Sequence, residues 1–571
     1  MPLSGYGDLL RRQSEENTTS FSWDQITPSE KLEWHPCGDP FLCARFAVPL
    51  DYTKPESTDK AAIALIRYPS KYKQDDPNWR GPVLYNPGGP GDSGVKFVHR
   101  LGEFFSTIVG EEFDHIGFDP RGVGFTLPQV GVLQNGSPEQ LLWTVGRPQA
   151  VSASDDTLAR NYNQYQILGD LAAKRANETA RVVSTAFVAR DMLKITEAFG
   201  REKLQYWGLS YGTFLGVTFA SMFPDKVERL LIDAVVDADD YIAGKWMNNI
   251  VDADKSLKLS YAACVASTKC ALHEDSIEKV SARIDALVAK LRNLPLVVMD
   301  EAGSSYGTID ASQVRAGILN MLYSPYGRTA AYLEMFALLE TGDGAAVYQA
   351  LYANASTPSQ FTCPAGNESA PVDPFSPPEA LPEMLPAIAC GDAHPVKTTF
   401  EQLKGIFAVM SNKSSLADTW WLPVPCTGWK LTAAEAYRGP WTGNTSHPLL
   451  VIGNTADPVT SLWAAKKMAK GYKDAVVLTQ DSGGHSSTAA LSKCTWKYIR
   501  DYFLNGTLPP PNTVCNIESE IFPSDATKPV AKREAYSQEE HARFSRATEI
   551  RRRANLSIQP PHIRESRLPI Y

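Results

Sequence analysis

Short, continuous apolar runs recur along the chain, each bounded by glycine, proline or polar residues. They lie at 41–50, 61–68, 82–85, 113–118, 204–207, 229–236, 449–452 and 475–478. A strand covered on one face alternates apolar and polar residues. A strand covered on both faces does not, so these runs predict buried strands. Helical spacing appears between several of them, at 186–199 and 461–471. Strands alternating with helices predict an α/β fold: a mostly parallel sheet with helices on both faces.

The pattern changes in the middle of the chain. Between Val236 and His447 no comparable strand series occurs, and helical spacing is found at 277–291, 311–323 and 330–339. A proline-rich loop at about 356–386 follows. This stretch reads as a large, mainly helical cap inserted into the core. The expected organisation is a flexible segment over 1–30, a first core part over 31–236, a cap over 237–415, a C-terminal core part over 416–515 and a polar basic tail over 516–571. The run Arg551-Arg552-Arg553 in that tail is expected to be solvated. A length of 571 residues agrees with a core carrying insertions rather than one simple core.

The net charge of −8 argues against nucleic acid as a partner. No run reaches the ~20 apolar residues of a membrane span, so no membrane partner is expected. The first twelve residues lack the apolar core of a signal peptide. Two features nevertheless point to secretion. Asn-x-Ser/Thr sequons stand at Asn17, Asn135, Asn177, Asn354, Asn367, Asn412, Asn444, Asn505 and Asn555, where composition alone gives about three. Of nine cysteines, Cys37 and Cys43 are neighbours, as are Cys264 and Cys270. Cys390 can pair with Cys426 and Cys494 with Cys515, which leaves Cys363 as the free thiol. The spacing is not of the metal-binding type, so no metal and no cofactor is expected.

The candidate chemistry begins at Gly208-Leu209-Ser210-Tyr211-Gly212, a Gly-x-Ser-x-Gly between an apolar run and a helical stretch ended by Pro224. Strand, sharp turn, helix is the setting of a nucleophile elbow in an α/β-hydrolase. A serine hydroxyl needs a base and an orienting acid, in the chain order Ser, Asp/Glu, His. Asp457 and His485 follow the last two predicted strands, at the strand ends where sites of open α/β sheets form. Asp119 and Asp233 are weaker candidates, and Asp119 is expected to pair with Arg121 or hold its turn. His35, His99, His115, His394 and His447 are expected to be structural or surface residues.

Acyl transfer also needs oxyanion donors. The Tyr211 N–H is one candidate, and the Gly89 N–H of the loop Gly88-Gly89-Pro90-Gly91 is the other. Residues 89–94 also match Gly-x-Gly-x-x-Gly, the signature of a dinucleotide site. The complete triad downstream weighs against that reading.

These residues together resemble the prolyl and tripeptidyl aminopeptidase family of serine α/β-hydrolases, in its secreted branch with a TAP-like C-terminal region. The resemblance rests on Asn86-Pro87-Gly88-Gly89-Pro90-Gly91, Asp119-Pro120-Arg121-Gly122-Val123-Gly124, residues 208–213, Asp457 and His485. Trp34-His35-Pro36-Cys37, Val48-Pro49-Leu50-Asp51-Tyr52 and the run from Cys390 to Cys426 extend it over about 30–515. It departs at Pro87, where many members carry histidine, and at Thr126, where serine is common. The resemblance implies hydrolysis of peptides from free N-termini. Asp237, Asp239 and Asp240, after the run 229–236, are candidates for holding the substrate ammonium. An esterase or biosynthetic hydrolase of small esters and amides is the alternative on the same framework. A catalytically silent binding protein would have a broken triad. The sequence leaves the oligomeric state open.

Overall fold

The computed structural model describes residues 21–133, 139–140, 143, 150–299, 306–345, 347–348, 374–375, 383–523 and 537–554. Cys363 and the sequons at Asn17, Asn135, Asn354, Asn367 and Asn555 lie outside them.

The strands are β1 His35–Pro36, β2 Leu42–Pro49, β3 Lys60–Tyr68, β4 Pro82–Asn86, β5 Asp114–Phe118, β6 Leu204–Leu209, β7 Val227–Asp233, β8 Leu296–Met299, β9 Tyr306–Ile309, β10 Leu450–Ala456, β11 Val476–Gly483 and β12 Val514–Cys515. All but β8 and β9 form one sheet in the order β1-β2-β3-β5-β4-β6-β7-β10-β11-β12. The β1–β2, β2–β3 and β3–β5 pairs are antiparallel, and every pair from β5 onward is parallel.

The apolar runs are continuous because both faces of the sheet are covered. Val83, Trp207, Leu209, Leu231, Leu450 and Ile452 enter one core cluster, while Leu84, Tyr206, Leu230, Ile232 and Val451 enter the other. Successive residues point to opposite faces, so both sets must be apolar. One face is covered by α1 Gly94–Ile108 and by a helix at Lys493–Asn505. The other carries α2 Thr157–Arg175, α3 Thr185–Ala198 and α4 Tyr211–Met222.

Between β7 and β10 the chain forms α5 Ala238–Ile242, α6 Ala253–Val265, α7 Ile277–Asn293, α8 Ala311–Tyr323, α9 Pro325–Thr341, α10 Met384–Asp392 and α11 Phe400–Ser411. It also holds the antiparallel β8–β9 hairpin, which the helical reading of this stretch did not anticipate. Each of its strands is only four residues long, too short for a periodic signal. The last helices are α12 Leu462–Ala469, α13 Lys493–Asn505 and α14 Gln538–Ala554.

Two motifs of the N-terminal half lock together. Arg121 holds Asp191 through Nε and Nη2, at 2.7 and 2.8 Å, and donates to the carbonyls of Pro49 and Leu50. Tyr52 lies over the guanidinium and donates to Asp191 at 2.8 Å. Arg121 therefore does not pair with Asp119. That carboxylate takes the Ser93 hydroxyl and the N–H groups of Val95 and Phe125. It sits at the N-terminus of α1, the place a dinucleotide phosphate would need.

All four expected cysteine pairs lie at disulfide distance: Cys37–Cys43, Cys264–Cys270, Cys390–Cys426 and Cys494–Cys515. Among the described residues no helix is long and apolar enough to cross a membrane.

Candidate active site

Ser210 joins β6 to α4 with φ 57° and ψ −126°, a backbone conformation that a side-chain-bearing residue rarely adopts. Its amide donates to Asp233 O at 3.1 Å, which pins the turn to the end of β7. Both flanking glycines are required by contact. A β-carbon on Gly208 would lie 2.2 Å from Gly212 O, and one on Gly212 would lie 2.6 Å from Asn86 O. The glycine loop after β4 presses on the same turn. A β-carbon on Gly88 would lie 2.8 Å from Ser210 Cβ and 3.0 Å from Tyr211 N. Gly88 donates its own N–H to Asn86 Oδ1 at 3.0 Å, so the next amide with freedom to act as a donor is that of Gly89.

Asp457 is the first residue after β10, and His485 follows β11 by two. His485 Nδ1 lies 3.0 Å from each Asp457 oxygen, and both side chains are buried. The Asp457 carboxylate also accepts N–H bonds from Val459, Thr460 and Ser486 at 2.9, 2.8 and 3.1 Å. Three backbone donors and the imidazole satisfy an ionised carboxylate without a fixed cation. A carboxylate can only accept, so this contact favours the tautomer with the proton on Nδ1 and leaves Nε2 as an acceptor. Thr460 Oγ1 stands 3.1 Å from Nδ1, and the Tyr323 ring meets the imidazole edge-on with centroids 5.1 Å apart. Neither residue was evident as a site residue in the sequence.

The loop carrying His485 is held along its length. The Gly483 N–H donates to Tyr326 Oη at 3.1 Å, and the His485 N–H to Tyr323 O at 3.0 Å. Asn454 Nδ2 donates to the carbonyls of Gly484 and Ser486. Asp233 accepts from the N–H and Oγ of Ser487. Burial pushes the Asp233 carboxyl up to about 6 against these stabilising bonds. Asp233, set aside as a weaker acid in the sequence, thus touches both the elbow and the histidine loop.

The structure places the three candidate amine-binding acids on and just before α5. Asp237 caps that helix, and both Asp237 and Asp239 pair with Lys467 of α12. Asp240 is buried, accepts the Asn248 N–H at 2.7 Å and makes no salt bridge among the described residues. Burial pushes its carboxyl up to about 6. His115 is packed in the core, accepting or donating to Tyr85 Oη at 2.9 Å, and burial pushes it down to about 3.

A parallel sheet flanked by helices, with a strained serine turn at one strand end and an acid–histidine pair at two others, defines an α/β-hydrolase. The family described as alpha/beta hydrolase fold matches residues 81–277, and that described as TAP-like protein matches residues 414–515. The chain has the α/β-hydrolase fold, and its C-terminal part is similar to the TAP-like family. Serine protease Hip1 of Mycobacterium tuberculosis (strain ATCC 25618 / H37Rv) is 27% identical over 514 residues, spanning 85% of this chain and 91% of the relative. Tripeptidyl aminopeptidase of Streptomyces lividans is 26% identical over 510 residues, spanning 85% and 86%. Carboxylesterase B of the same Mycobacterium tuberculosis strain is 28% identical over 483 residues, spanning 83% and 86%. The protein is a serine hydrolase, similar in sequence to peptidases.

Proposed function

We propose that the protein is a serine aminopeptidase that releases short peptides or single residues from free N-termini. The observation that carries the chemistry is the contact of His485 Nδ1 with both Asp457 oxygens at 3.0 Å, on a loop tied through Asp233 to the same strand end as the strained Ser210 turn. The relative named tripeptidyl aminopeptidase supports the choice of peptides.

In this reading Ser210 Oγ attacks the scissile carbonyl while its proton passes to His485 Nε2. The N–H groups of Gly89 and Tyr211 stabilise the oxyanion. The C–N bond breaks as His485 returns the proton to the leaving amine, which leaves an acyl-Ser210. Water, deprotonated by His485, then hydrolyses the ester and restores the serine. Asp457 fixes the imidazole and stabilises its charged form. Of the three acids considered for the substrate ammonium, Asp240 is favoured, because Lys467 already neutralises Asp237 and Asp239. Asp240→Asn should raise KM for free-amine substrates and leave N-blocked ones unchanged. Equal effects on both would remove this residue from the site.

The relative named carboxylesterase B favours a second reading, an esterase on the same framework. A panel of chromogenic mono-, di- and tripeptide amides, free and N-acetylated, beside short-chain esters separates the two. Cleavage confined to free-amine peptides supports the peptidase, and cleavage confined to esters supports the alternative. Ser210→Ala should abolish either activity.

The proposed location is outside the cytosol. Four disulfide pairs support it. The sequon asparagines within the described residues, Asn177, Asn412, Asn444 and Asn505, are all exposed and open to a glycan.

A further inference from the structure

The last described helix, α14, lies beyond both matched regions, yet it reaches the candidate active site. The sequence presented this part of the chain as a solvated tail. In the structure α14 packs on α1, with Phe544, Ala547 and Ile550 buried in the core cluster that also contains Phe104 and Trp496. The Phe544 and Trp496 ring centroids are 6.1 Å apart. Three- and four-residue spacing puts these positions on one helical face. Arg551, four residues after Ala547, extends that face. Its Nη2 donates to Ala489 O.

Ala489 closes the single helical turn Ser487–Ala489 that follows His485. The same loop is tied at its start by Tyr326 Oη on the Gly483 N–H. Tyr326 is also an electrostatic neighbour of Arg551. Burial pushes the Arg551 guanidinium down to about 10, so it stays charged at neutral pH. Among the described residues Arg551 forms no salt bridge. The guanidinium is half-buried, and its contact within the described residues is with the Ala489 carbonyl rather than a carboxylate, so that bond fixes where the side chain sits. The flanking Arg546 pairs with Glu103 and Glu111, at 3.4 Å, are exposed and contribute little to holding the helix.

We propose that Arg551 is a positioning residue, by which the C-terminal helix clamps the loop that carries His485. Asp457 fixes the imidazole from one side, and Arg551 fixes the end of its loop from the other. This rests on the reading of His485 as the base. Base and nucleophile work only within a narrow range of geometry, so a loosened loop lowers turnover more than substrate affinity.

The test uses the full chain, with Arg551→Ala, Arg551→Lys and Ser210→Ala compared with the wild type. The readouts are kcat, KM, Tm and the rate of Ser210 phosphonylation by a fluorophosphonate probe. Arg551→Ala should lower kcat and the phosphonylation rate about tenfold, with KM within about twofold. Arg551→Lys, which keeps a cationic donor, should restore most of the loss. Wild-type kcat in Arg551→Ala overturns the proposal. So does a loss that follows Tm alone and is not recovered by lysine. Activity retained in Ser210→Ala would instead overturn the underlying site, so the two failures are distinguishable.

Discussion

Asp233 and Ser487 are joined twice, by the Ser487 N–H at 2.9 Å and its Oγ at 2.5 Å. The first bond fixes the backbone of the His485 loop to the end of β7, and the second leaves the carboxylate no room to turn. A negative charge is thereby held near Asp457 and His485, while burial first, and the Asp457 charge after it, push the Asp233 carboxyl up to about 6.

Asp233→Asn should preserve this geometry, because an amide oxygen can accept the Ser487 N–H and its nitrogen can donate to Oγ. What it removes is charge. An imidazolium at His485, the proposed base, then loses a favourable neighbour. The acid limb of the kcat/KM profile should shift downward by less than about one pH unit. A pH–rate profile with an unmoved acid limb would show that Asp233 acts only as a strut.

Gly88→Ala should be far more damaging than its size suggests. The residue has φ +108°, and a β-carbon there meets Leu209 O at 2.7 Å and Ser210 Cβ at 2.8 Å. Neither neighbour can rotate away, since both belong to the elbow. The loop must lift, carrying the Gly89 amide off its proposed oxyanion position. Loss of one such donor costs about 100- to 1,000-fold in kcat. Gly405→Ala is the control: nothing lies within 4 Å of its β-carbon and it stands on the exposed face of α11, so activity should be unchanged. Comparable activity in the two variants would mean that the loop does not supply the donor.

The elements that carry the candidate site were legible because each has a local signature. A strand covered on both faces is an apolar run, and the glycines at 208 and 212 mark a turn whose backbone crowds itself. Asp457 and His485 stood out by order and by position at strand ends. What stayed hidden depends on partners distant in the chain. Asp119 and Arg121 stand two apart and suggest a pair, yet Arg121 finds Asp191 on α3, and Asp119 closes onto the start of α1. Asp237 and Asp239 look free until Lys467 arrives from α12. Phe544, Ala547 and Ile550 are spaced as a helical face, but their polar surroundings made the segment look solvated.

Asp392→Asn should change the pH dependence of stability. Asp392 is fully buried, and its carboxylate accepts from Thr185 N, Thr185 Oγ1 and Tyr241 Oη, a network that reaches Tyr211 through Thr185. Burial nevertheless pushes the carboxyl up to about 6. The native state therefore holds a proton that the unfolded chain gives up near pH 4. The sign follows: this group favours folding most below about pH 4 and loses that contribution as pH rises to 6. Asparagine does not titrate. The Tm of the variant relative to wild type should rise across pH 4 to 6 and level off above, with an amplitude of roughly 3 kcal/mol at most. A Tm difference that is flat with pH would sink the assignment.

Breaking the Cys390–Cys426 bridge should test how firmly α10 is tied to the core. The bridge spans 36 residues, and closing a loop of that length restricts the unfolded chain by roughly 3–4 kcal/mol. It lies two residues from Asp392, so the chain of bonds through Thr185 to Tyr211, next to Ser210, depends on the same helix end. Cys390→Ser with Cys426→Ser should therefore lower Tm by several degrees and also lower kcat. The Cys264–Cys270 pair spans only 6 residues and lies in and just after α6. Its removal should cost less stability and leave kcat near wild type. Thermal melts and steady-state kinetics of the two double variants decide the matter. Equal losses of kcat in both would mean that general destabilisation, not the link to Asp392, controls the site.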